Sequence, residues 1–367
     1  MEFLDDQGRL FGLVNVVDAL VILVVASIVV AGVAVLVPSG DRETRYVTLA
    51  LGEQPSYVAS QITAGDSMPA GPQGGNVTVT DVYTTPSGDN ASVVVRARLS
   101  GRLQSGDAGG PQFTYGGQPV RSGRQLTVST PEYTVSGVVT NATAAGTELP
   151  TARTAVVLEG VVGPATAESI RAGDRARAGG RTVSEVQSVQ SYPMDNESPR
   201  VVVGLSLRTL SSDGTPTFGG QPVRVGARLT FRSDGYAVGG HVATIGSTAV
   251  LANTTTTTAV VEVRNVPPGT ADDVTAGLTE RSRGRVLARV TDVRSEPSTV
   301  ILRSESGEIF AREHPRNRDL FLTTSLTTRR TAQGLRFHAR PLRIGSTVVF
   351  DFGRTTVQGT VTRLRDG

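Results

Sequence analysis

The hydrophobic pattern divides the chain into one long apolar run and a longer part made of short alternating segments. Apolar or small residues are uninterrupted from Ala19 to Val37. At about 1.5 Å per residue, a helix of this length spans roughly 28 Å, close to the hydrocarbon thickness of a bilayer. The pattern therefore predicts an N-terminal segment at 1–17 and one transmembrane helix at 18–38.

The rest of the chain has the pattern of β-strands. Segments such as 77–80, 93–98 and 320–326 combine apolar runs with partial period-two alternation, which is typical of half-buried strands. Gly, Thr, Val and Ser are abundant, whereas good helix formers are scarce. We expect everything after the apolar run to be nearly all β.

A block of sequence recurs three times without a gap, at 115–139, 218–242 and 337–361. Each copy contains Pro-apolar-Arg-x-Gly and, further on, a glycine followed two residues later by valine. Upstream, a Val-x-x-Val-x-x-x-Pro pattern ends at Pro86, Pro193 and Pro297. Such internal periodicity predicts a tandem array, with β domains at 45–140, 153–248 and 258–365.

Each domain is predicted to be a small barrel, with a sandwich as the alternative. An apolar-x-x-Gly step followed by a strand occurs twice per unit, at Ile62–Gly65 and Val120–Gly123 in the first, which favours two similar halves closing into a barrel. The third unit departs from the pattern. It has Leu278 and Thr355 where the others have an aspartate and a tyrosine.

Three segments between the predicted strands are interpreted as connections. The third unit carries an insertion near Glu305–Arg318, which we expect to be a long surface loop. The spacers at 141–150 and 249–258 are expected to be extended and mobile. The run Thr254–Thr258 within the second resembles an exposed, decorated spacer.

The apolar run is interpreted as a retained anchor. It exceeds the usual core of a signal peptide, which is the alternative, and Glu2, Asp5 and Asp6 precede it. Asp18 at its edge is interpreted as an interfacial cap, with an intramembrane functional carboxylate as the alternative. Arginines flanking the helix weakly favour a cytoplasmic C-terminal part. The absence of cysteine, five Asn-x-Ser/Thr sequons and the threonine run instead favour an extracytoplasmic one.

Composition excludes several kinds of chemistry. There is no cysteine, so disulfides and thiolate sites are excluded. There is no lysine, which indicates a GC-rich genome, and we expect a prokaryotic, archaeal source. Residues 280–367 hold 17 Arg against 9 acidic residues. These arginines are dispersed and lack interleaved aromatics, so a solvated face is favoured and no nucleic acid partner is expected.

Candidate site residues are few. Five Asn-x-Ser/Thr sequons are candidate glycosylation sites: Asn76, Asn90, Asn141, Asn196 and Asn253. Arg121, Arg224 and Arg343 recur at one position and are candidates to line a repeated binding groove; pairing with a local carboxylate is the alternative. His241, His314 and His338 are interpreted as surface or turn histidines. We predict no catalytic, cofactor-binding or metal-binding residue.

The run from Leu4 to Asp18, Leu-Asp-Asp-Gln-Gly-Arg-Leu-Phe-Gly-Leu-Val-Asn-Val-Val-Asp, resembles the start of the uncharacterised domain-of-unknown-function 4330 family. The Ile-x-x-Gly-Asp step, the Val-x-x-Val-x-x-x-Pro pattern and the stretch from Val223 to Val242 also resemble that family. The resemblance implies a single-pass envelope protein without known activity or catalytic residues. It also implies one soluble unit, whereas this chain has three.

These features together predict a non-enzymatic, single-pass cell-membrane protein whose extracytoplasmic β domains act as spacer or binding modules. Tandem copies raise reach and avidity without new chemistry. The expected partners are membrane lipid and other envelope or membrane proteins, and homo-oligomerisation is left open. The alternative is a membrane-tethered cytoplasmic scaffold for a cytoskeletal or morphogenetic partner. An envelope hydrolase or a transporter subunit is the least supported.

Overall fold

The computed structural model describes residues 9–10, 14–15, 42–68, 75–106, 110–194, 198–212, 214–251, 254–303 and 309–366. The predicted transmembrane helix at 18–38 lies outside these ranges. Within them, no helix is both long and apolar enough to cross a membrane. Two short antiparallel strands, β1 (Arg9–Leu10) and β2 (Val14–Asn15), are described in the N-terminal segment.

The remaining elements form three consecutive sets of eight strands and one short helix each. Unit 1 consists of β3 (Arg42–Pro55), α1 (Ser56–Gln61), β4 (Ser67–Met68), β5 (Val77–Ser87), β6 (Asn90–Gly106), β7 (Gly110–Tyr115), β8 (Gln118–Pro119), β9 (Gln125–Ser129) and β10 (Thr134–Thr143). Unit 2 consists of β11 (Thr151–Val161), α2 (Pro164–Ser169), β12 (Arg175–Ala178), β13 (Arg181–Tyr192), β14 (Arg200–Ser212), β15 (Thr215–Phe218), β16 (Gln221–Pro222), β17 (Arg228–Arg232) and β18 (Ala237–Ile245). Unit 3 consists of β19 (Thr254–Val266), α3 (Pro268–Asp273), β20 (Thr279–Ser282), β21 (Arg285–Arg303), β22 (Ile309–Thr331), β23 (Gly334–Phe337), β24 (Arg340–Pro341), β25 (Thr347–Asp351) and β26 (Thr356–Asp366).

The three units share one strand order. In unit 1 the hydrogen-bonded path is β4-β5-β6-β3-β10-β9, with β7 paired to β6 and β8 paired to β7; units 2 and 3 repeat it strand for strand. The two ends of the path contact each other where β12 meets β17 and where β20 meets β25. Each sheet therefore curls into a barrel-like unit. The prediction of three tandem, barrel-like β units is confirmed.

The recurring sequence block forms the last hairpin of every unit. The N–H of Val120 donates to the carbonyl of Phe113 over 2.9 Å, and that of Gly123 donates to the carbonyl of Val139 over 2.8 Å. Units 2 and 3 make the same two bonds, Val223 to Pro216, Gly226 to Val242, Leu342 to Leu335 and Gly345 to Val361. An insertion would shift this register and turn side chains to the wrong face, which explains why the block recurs without a gap.

The glycine that recurs in the last strand is required by close packing. A Cβ atom at Gly137 would lie 2.5 Å from Leu51, and one at Gly359 would lie 2.6 Å from Val261. At Gly240 it would lie 2.4 Å from the carbonyl oxygen of Glu159. These distances are shorter than van der Waals contact, so only glycine allows the last strand to approach the first long strand of its unit.

Each unit has its own hydrophobic core. In β9 and β10, exposed and buried positions alternate, so that Leu126, Val128 and Val135 face the interior. Three separate clusters of buried side chains fill units 1, 2 and 3. The strand pattern in the sequence thus produces three interiors rather than one.

The insertion in unit 3 is not a loop in its described part. β21 and β22 are 19 and 23 residues long, and residues 299–303 pair with 309–313. The prediction of a long surface loop near Glu305–Arg318 is therefore wrong there. Val300 and Ile301 have high strand propensity, and they extend the central hairpin instead of leaving it.

The threonine run is also part of the sheet. Residues 254–258 begin β19 and pair with 325–329 of β22. Thr257 is fully buried, and its hydroxyl lies 2.8 Å from that of Thr328. The prediction of an exposed spacer at Thr254–Thr258 is wrong, because β-branched threonines continue the first strand of the unit.

Candidate functional site

The three recurring arginines occupy one position of one turn. The carbonyls of Arg121, Arg224 and Arg343 each accept from the N–H three residues later, at 3.1, 2.9 and 3.0 Å. All three residues are exposed, one in each unit. None of them takes part in the ion pairs between described residues. A shared ligand groove along them stays a prediction.

The sequons are placed only in part. Asn76, Asn90 and Asn141 are described and exposed. Asn196 and Asn253 lie outside the described residues. Exposure is a requirement for modification, and use of these sites stays a prediction.

A tyrosine and an aspartate join the two ends of the barrel in units 1 and 2. The hydroxyl of Tyr133 donates to Asp66 over 2.5 Å, and that of Tyr236 donates to Asp174. Burial and the bond to Asp66 raise the pKa of Tyr133. Burial would raise the pKa of Asp66, but hydrogen bonds from Thr63 and Tyr133 outweigh it, and the pKa is lowered.

Unit 3 has lost both partners of this pair together. Leu278 stands at the aspartate position, and Thr355 at the tyrosine position. Thr355 instead donates to Asp273 at the end of α3 over 3.3 Å. The two departures visible in the sequence are therefore one structural change.

Unit 2 contacts unit 1 through two of its turns, and this contact is called joint 1–2. Gly219, in the turn between β15 and β16, donates its N–H to the Thr85 hydroxyl over 3.1 Å. The second turn, between β12 and β13, places Gly179 beside Thr84. Nearby, the buried hydroxyl of Tyr83 donates to the carbonyl of Arg208 over 2.7 Å. Joint 1–2 thus combines main-chain contacts with a buried aromatic side chain.

The segment between units 1 and 2 is held against unit 1. Arg96 is 5 % exposed, and its guanidinium donates to the carbonyls of Gly146 over 2.9 Å and Ala145 over 3.3 Å. It also donates to the hydroxyls of Thr48 and Thr143. The predicted mobile spacer at 141–150 is wrong, because a buried arginine and several acceptors fix it.

Further bonds tie the same segment to β5. The hydroxyl of Thr80 donates to the carbonyl of Thr147 over 2.7 Å. The carboxylate of Asp81 accepts the N–H of Leu149 over 3.0 Å. Leu149 itself is buried with Tyr83 and Leu210, so the connection is part of joint 1–2.

Unit 3 contacts unit 2 through the equivalent turns, at joint 2–3. The turn between β23 and β24 carries His338 and Ala339 at positive φ, where units 1 and 2 have pairs of glycines. The ring of His338 stacks on Tyr192, with centroids 5.2 Å apart. Tyr192 occupies the position of Thr85 in unit 1, so both joints bring the same two positions together.

The second segment also lies on the preceding unit. A Cβ atom on Gly204 would lie 1.9 Å from the carbonyl oxygen of Thr248. The hydroxyl of Ser188 donates to that same carbonyl. Gly204 and Ser188 stand where unit 1 has Arg96 and Asp81, so the two connections cross one face of the barrel by different contacts.

Joint 2–3 buries charged groups that sequence reasoning missed. Nε2 of His338 and Oε1 of Glu280 lie 3.1 Å apart, within ion-pair range but not aligned as a hydrogen bond, and their side chains are 7 % and 2 % exposed. Burial raises the pKa of Glu280, although His338 opposes the shift. Glu159 of unit 2 lies 3.2 Å from Arg336 and 3.9 Å from Arg329. Burial also raises the pKa of Tyr192 to about 12.

The sequence carried a signal for the buried pair. The sequence predicts a turn or surface position for His338; the residue lies in a turn but is buried. His338-Ala339 replaces Gly-Gly in a repeated block, and Glu280 replaces Met68 and Ala176 of the other units. Glu280 and His338 are thus both polar replacements within one unit, at positions that are apolar or glycine in the other units, and this coincidence indicates an ion pair.

The two joints enclose different spaces. A cleft of about 300 Å³ lies at joint 1–2. It is lined by Ser56, Ala59, Ser60, Thr84, Pro86, Gly88, Asn90, Ala91, Arg177, Ala178, Gly179, Arg232, Ser233 and Asp234. The cavity beside His338 and Glu159 has only about 20 Å³, room for one water. Only the first is large enough for a ligand group.

Comparison with known proteins gives one match. The sequence model of a family described as "Domain of unknown function (DUF4330)" matches residues 1–90 and 242–365, more than half of the chain. No curated protein and no solved structure matches. Most of unit 2 lies between the matched stretches, yet it has the same strand order as units 1 and 3. Among the described residues, no three His, Cys, Asp or Glu side chains are grouped to hold a metal.

Proposed function

Because the chain belongs to the DUF4330 family, whose description assigns no activity, we propose its function from the joints between its units. It is a non-enzymatic, membrane-anchored protein of a prokaryotic, archaeal cell envelope. Its three β units stand outside the membrane and act as spacer or binding modules.

The repeated joint is the observation that carries this proposal. The turn between β15 and β16 contacts Thr85, and the turn between β23 and β24 contacts the equivalent Tyr192. Contacts that repeat head to tail set a fixed step from one unit to the next, as in solenoid arrays. The first connecting segment is bonded along its length to unit 1. Such joints suit an array that holds its far end at a defined distance.

The membrane attachment is supported by the sequence alone. The apolar run from Ala19 to Val37 has the length of a bilayer-spanning helix. It precedes unit 1 directly, so the array would begin at the membrane surface. Membrane lipid and other envelope proteins are the proposed partners.

A cytoplasmic scaffold is the second candidate. Its support is the charge of the third unit, since residues 280–367 hold 17 Arg against 9 acidic residues. Such a surface attracts anionic lipid or an acidic protein. The two candidates differ in the side of the membrane on which unit 3 lies.

Protease accessibility on intact cells separates them. An epitope tag following Gly367 should be removed by added protease when the units are outside. A cytoplasmic marker protein must stay intact in the same sample. Protection of the tag on intact cells, with cleavage after lysis, contradicts the external arrangement and supports the scaffold.

A further inference from the structure

One turn position differs between the joints in a way that leaves a space at joint 1–2. Gly179 in unit 2 and Arg283 in unit 3 are equivalent, with φ of 55° and 50°. The guanidinium of Arg283 donates to the carbonyl of Ala167, in α2 of unit 2, over 2.7 Å. Gly179 has no side chain to reach the equivalent carbonyl, that of Ala59 in α1.

The neighbouring position differs in the same sense. Ser282 of unit 3 donates its hydroxyl to the carbonyl of Ser191 over 2.7 Å. Its equivalent in unit 2 is Ala178, which has no donor. Joint 1–2 therefore lacks both polar contacts that unit 3 supplies at joint 2–3.

A buried hydroxyl at joint 1–2 is left without a partner. Thr84 is 5 % exposed, and its Oγ1 has no hydrogen-bond partner. Thr84 is one of the residues that line the cleft, and its Oγ1 would lie 3.4 Å from a Cβ atom on Gly179. A buried polar group of this kind is rare and calls for a partner.

We propose that the cleft at joint 1–2 binds a guanidinium group, as presented by an arginine side chain of a partner polypeptide. The group occupies the place that Arg283 takes at joint 2–3. It donates to the carbonyl of Ala59 and to the hydroxyl of Thr84. Guanidinium is planar and carries five N–H donors, so it can reach both acceptors at once.

The arginines beside the cleft do not oppose this assignment. Arg177 and Arg232 line it, but Arg232 lies 3.9 Å from Asp89, and Asp234 lines it as well. At joint 2–3, Arg283 keeps its bond to Ala167 beside another arginine, Arg171. Burial and Arg171 lower the pKa of Arg283, and Asp174 opposes the shift. Unit 1 keeps the equivalent aspartate, Asp66, and has the neutral Thr63 in place of Arg171.

Binding of capped arginine amide to the full chain, followed by calorimetry, tests the proposal. One molecule should bind per chain, and capped lysine amide should bind at least about tenfold more weakly because it has a point-like ammonium. Gly179→Arg should abolish binding by filling the cleft from within. Arg283→Gly should open the equivalent space and raise the stoichiometry to two.

An arginine-containing pentapeptide that binds more tightly than the amide assigns the group to a polypeptide, whereas equal affinity assigns it to a small guanidino compound.

Thr84→Val provides a variant that does not depend on remodelling the turn. Its hydroxyl has no partner in the free protein, so the fold should keep its stability. Affinity for the arginine amide should fall about tenfold, the loss of one hydrogen bond to a charged group. Absence of binding, or equal binding by the parent chain and Gly179→Arg, overturns the proposal.

Discussion

The two joints place equivalent elements together but hold them by different chemistry. At joint 1–2, the guanidinium of Arg96 lies on the outer face of the barrel and donates to the carbonyls of Gly146 and Ala145 in the connecting segment. At joint 2–3, Gly204 stands at that position, and the segment packs directly on the main chain. The barrel interiors share one pattern of buried strands, whereas the joints do not. Strand order is thus set by the cores, which leaves the contacts between units free to vary.

The charge at the joints differs as well. Joint 1–2 has an open cleft whose lining mixes small residues with the charged Arg177, Arg232 and Asp234. Joint 2–3 buries Glu280 and His338, and it partly buries Glu159 and Arg336. A buried ion pair adds little net stability because both groups lose water, but removing one partner is costly. We therefore expect joint 1–2 to depend on one arginine and joint 2–3 to depend on packing and protonation.

The largest effect is expected for Arg96→Ala. The substitution removes the donor to the carbonyl of Gly146 and to the hydroxyl of Thr48, and leaves the carbonyl of Ala145 with the Thr143 hydroxyl alone. The free energy of unfolding of unit 1 should fall by about 3 kcal/mol, since several hydrogen bonds to one charged, buried guanidinium are lost together. Denaturant unfolding measures the loss, and hydrogen exchange across residues 144–150 should show the segment released.

Arg98→Ala is the matched control for this change. Arg98 lies two residues along the same strand and is exposed. Its substitution should change stability by less than about 0.5 kcal/mol, as is usual at surface positions. Equal effects of the two substitutions would show that Arg96 does not hold the segment.

A smaller effect is expected at the equivalent position of joint 2–3, with Gly204→Ala. The added methyl group would lie 1.9 Å from the carbonyl oxygen of Thr248 and 2.5 Å from Oγ of Ser188. Overpacking of this kind costs about 2 kcal/mol, and amide exchange at residues 247–251 should accelerate. Gly163→Ala serves as the control, because nothing lies within 4 Å of its Cβ position. Unchanged exchange at 247–251 in the Gly204 variant contradicts the packed connection.

The sequence predicted the repeats because their signals are local. Alternating apolar positions, a gapless block and three glycines each act within one unit, where register transmits any change. The exposed positions of Arg121, Arg224 and Arg343 gave no comparable constraint, and their function stays a prediction.

The joints could not be predicted because their contacts are distant in sequence. Arg96 bonds to residues about fifty positions away. The alternating strand pattern predicts only that its side chain faces outward. Leu278 and Thr355 were visible as separate departures, but only the fold shows that Asp66 and Tyr133 form one pair. The threonines of 254–258 misled because their composition also suits a spacer.

The smallest effect, and the one that distinguishes the joints by pH, is expected for Glu280→Gln. The raised pKa of Glu280 means that its contribution to stability is fully present below its ordinary pKa of 4.5 and is lost as pH rises through the raised value. At pH 7 the free energy of unfolding of the glutamine variant should therefore equal that of the parent or exceed it by less than about 1 kcal/mol.

Lowering the pH should remove this difference, because Glu280 itself becomes neutral. Unit 1 responds in the opposite direction: the lowered pKa of Asp66 gives stability that is present above 3.8 and is lost as pH falls through the lowered value. Denaturant unfolding of the parent, Glu280→Gln and the exposed control Glu313→Gln at pH 7 and near pH 4.5 measures the slope due to Glu280, and unfolding of the parent below pH 3.8 measures the slope due to Asp66. If the free energy of unfolding of unit 3 falls equally in the parent and in Glu280→Gln as pH rises from about 4.5 to 7, the buried carboxylate does not set the pH dependence of joint 2–3.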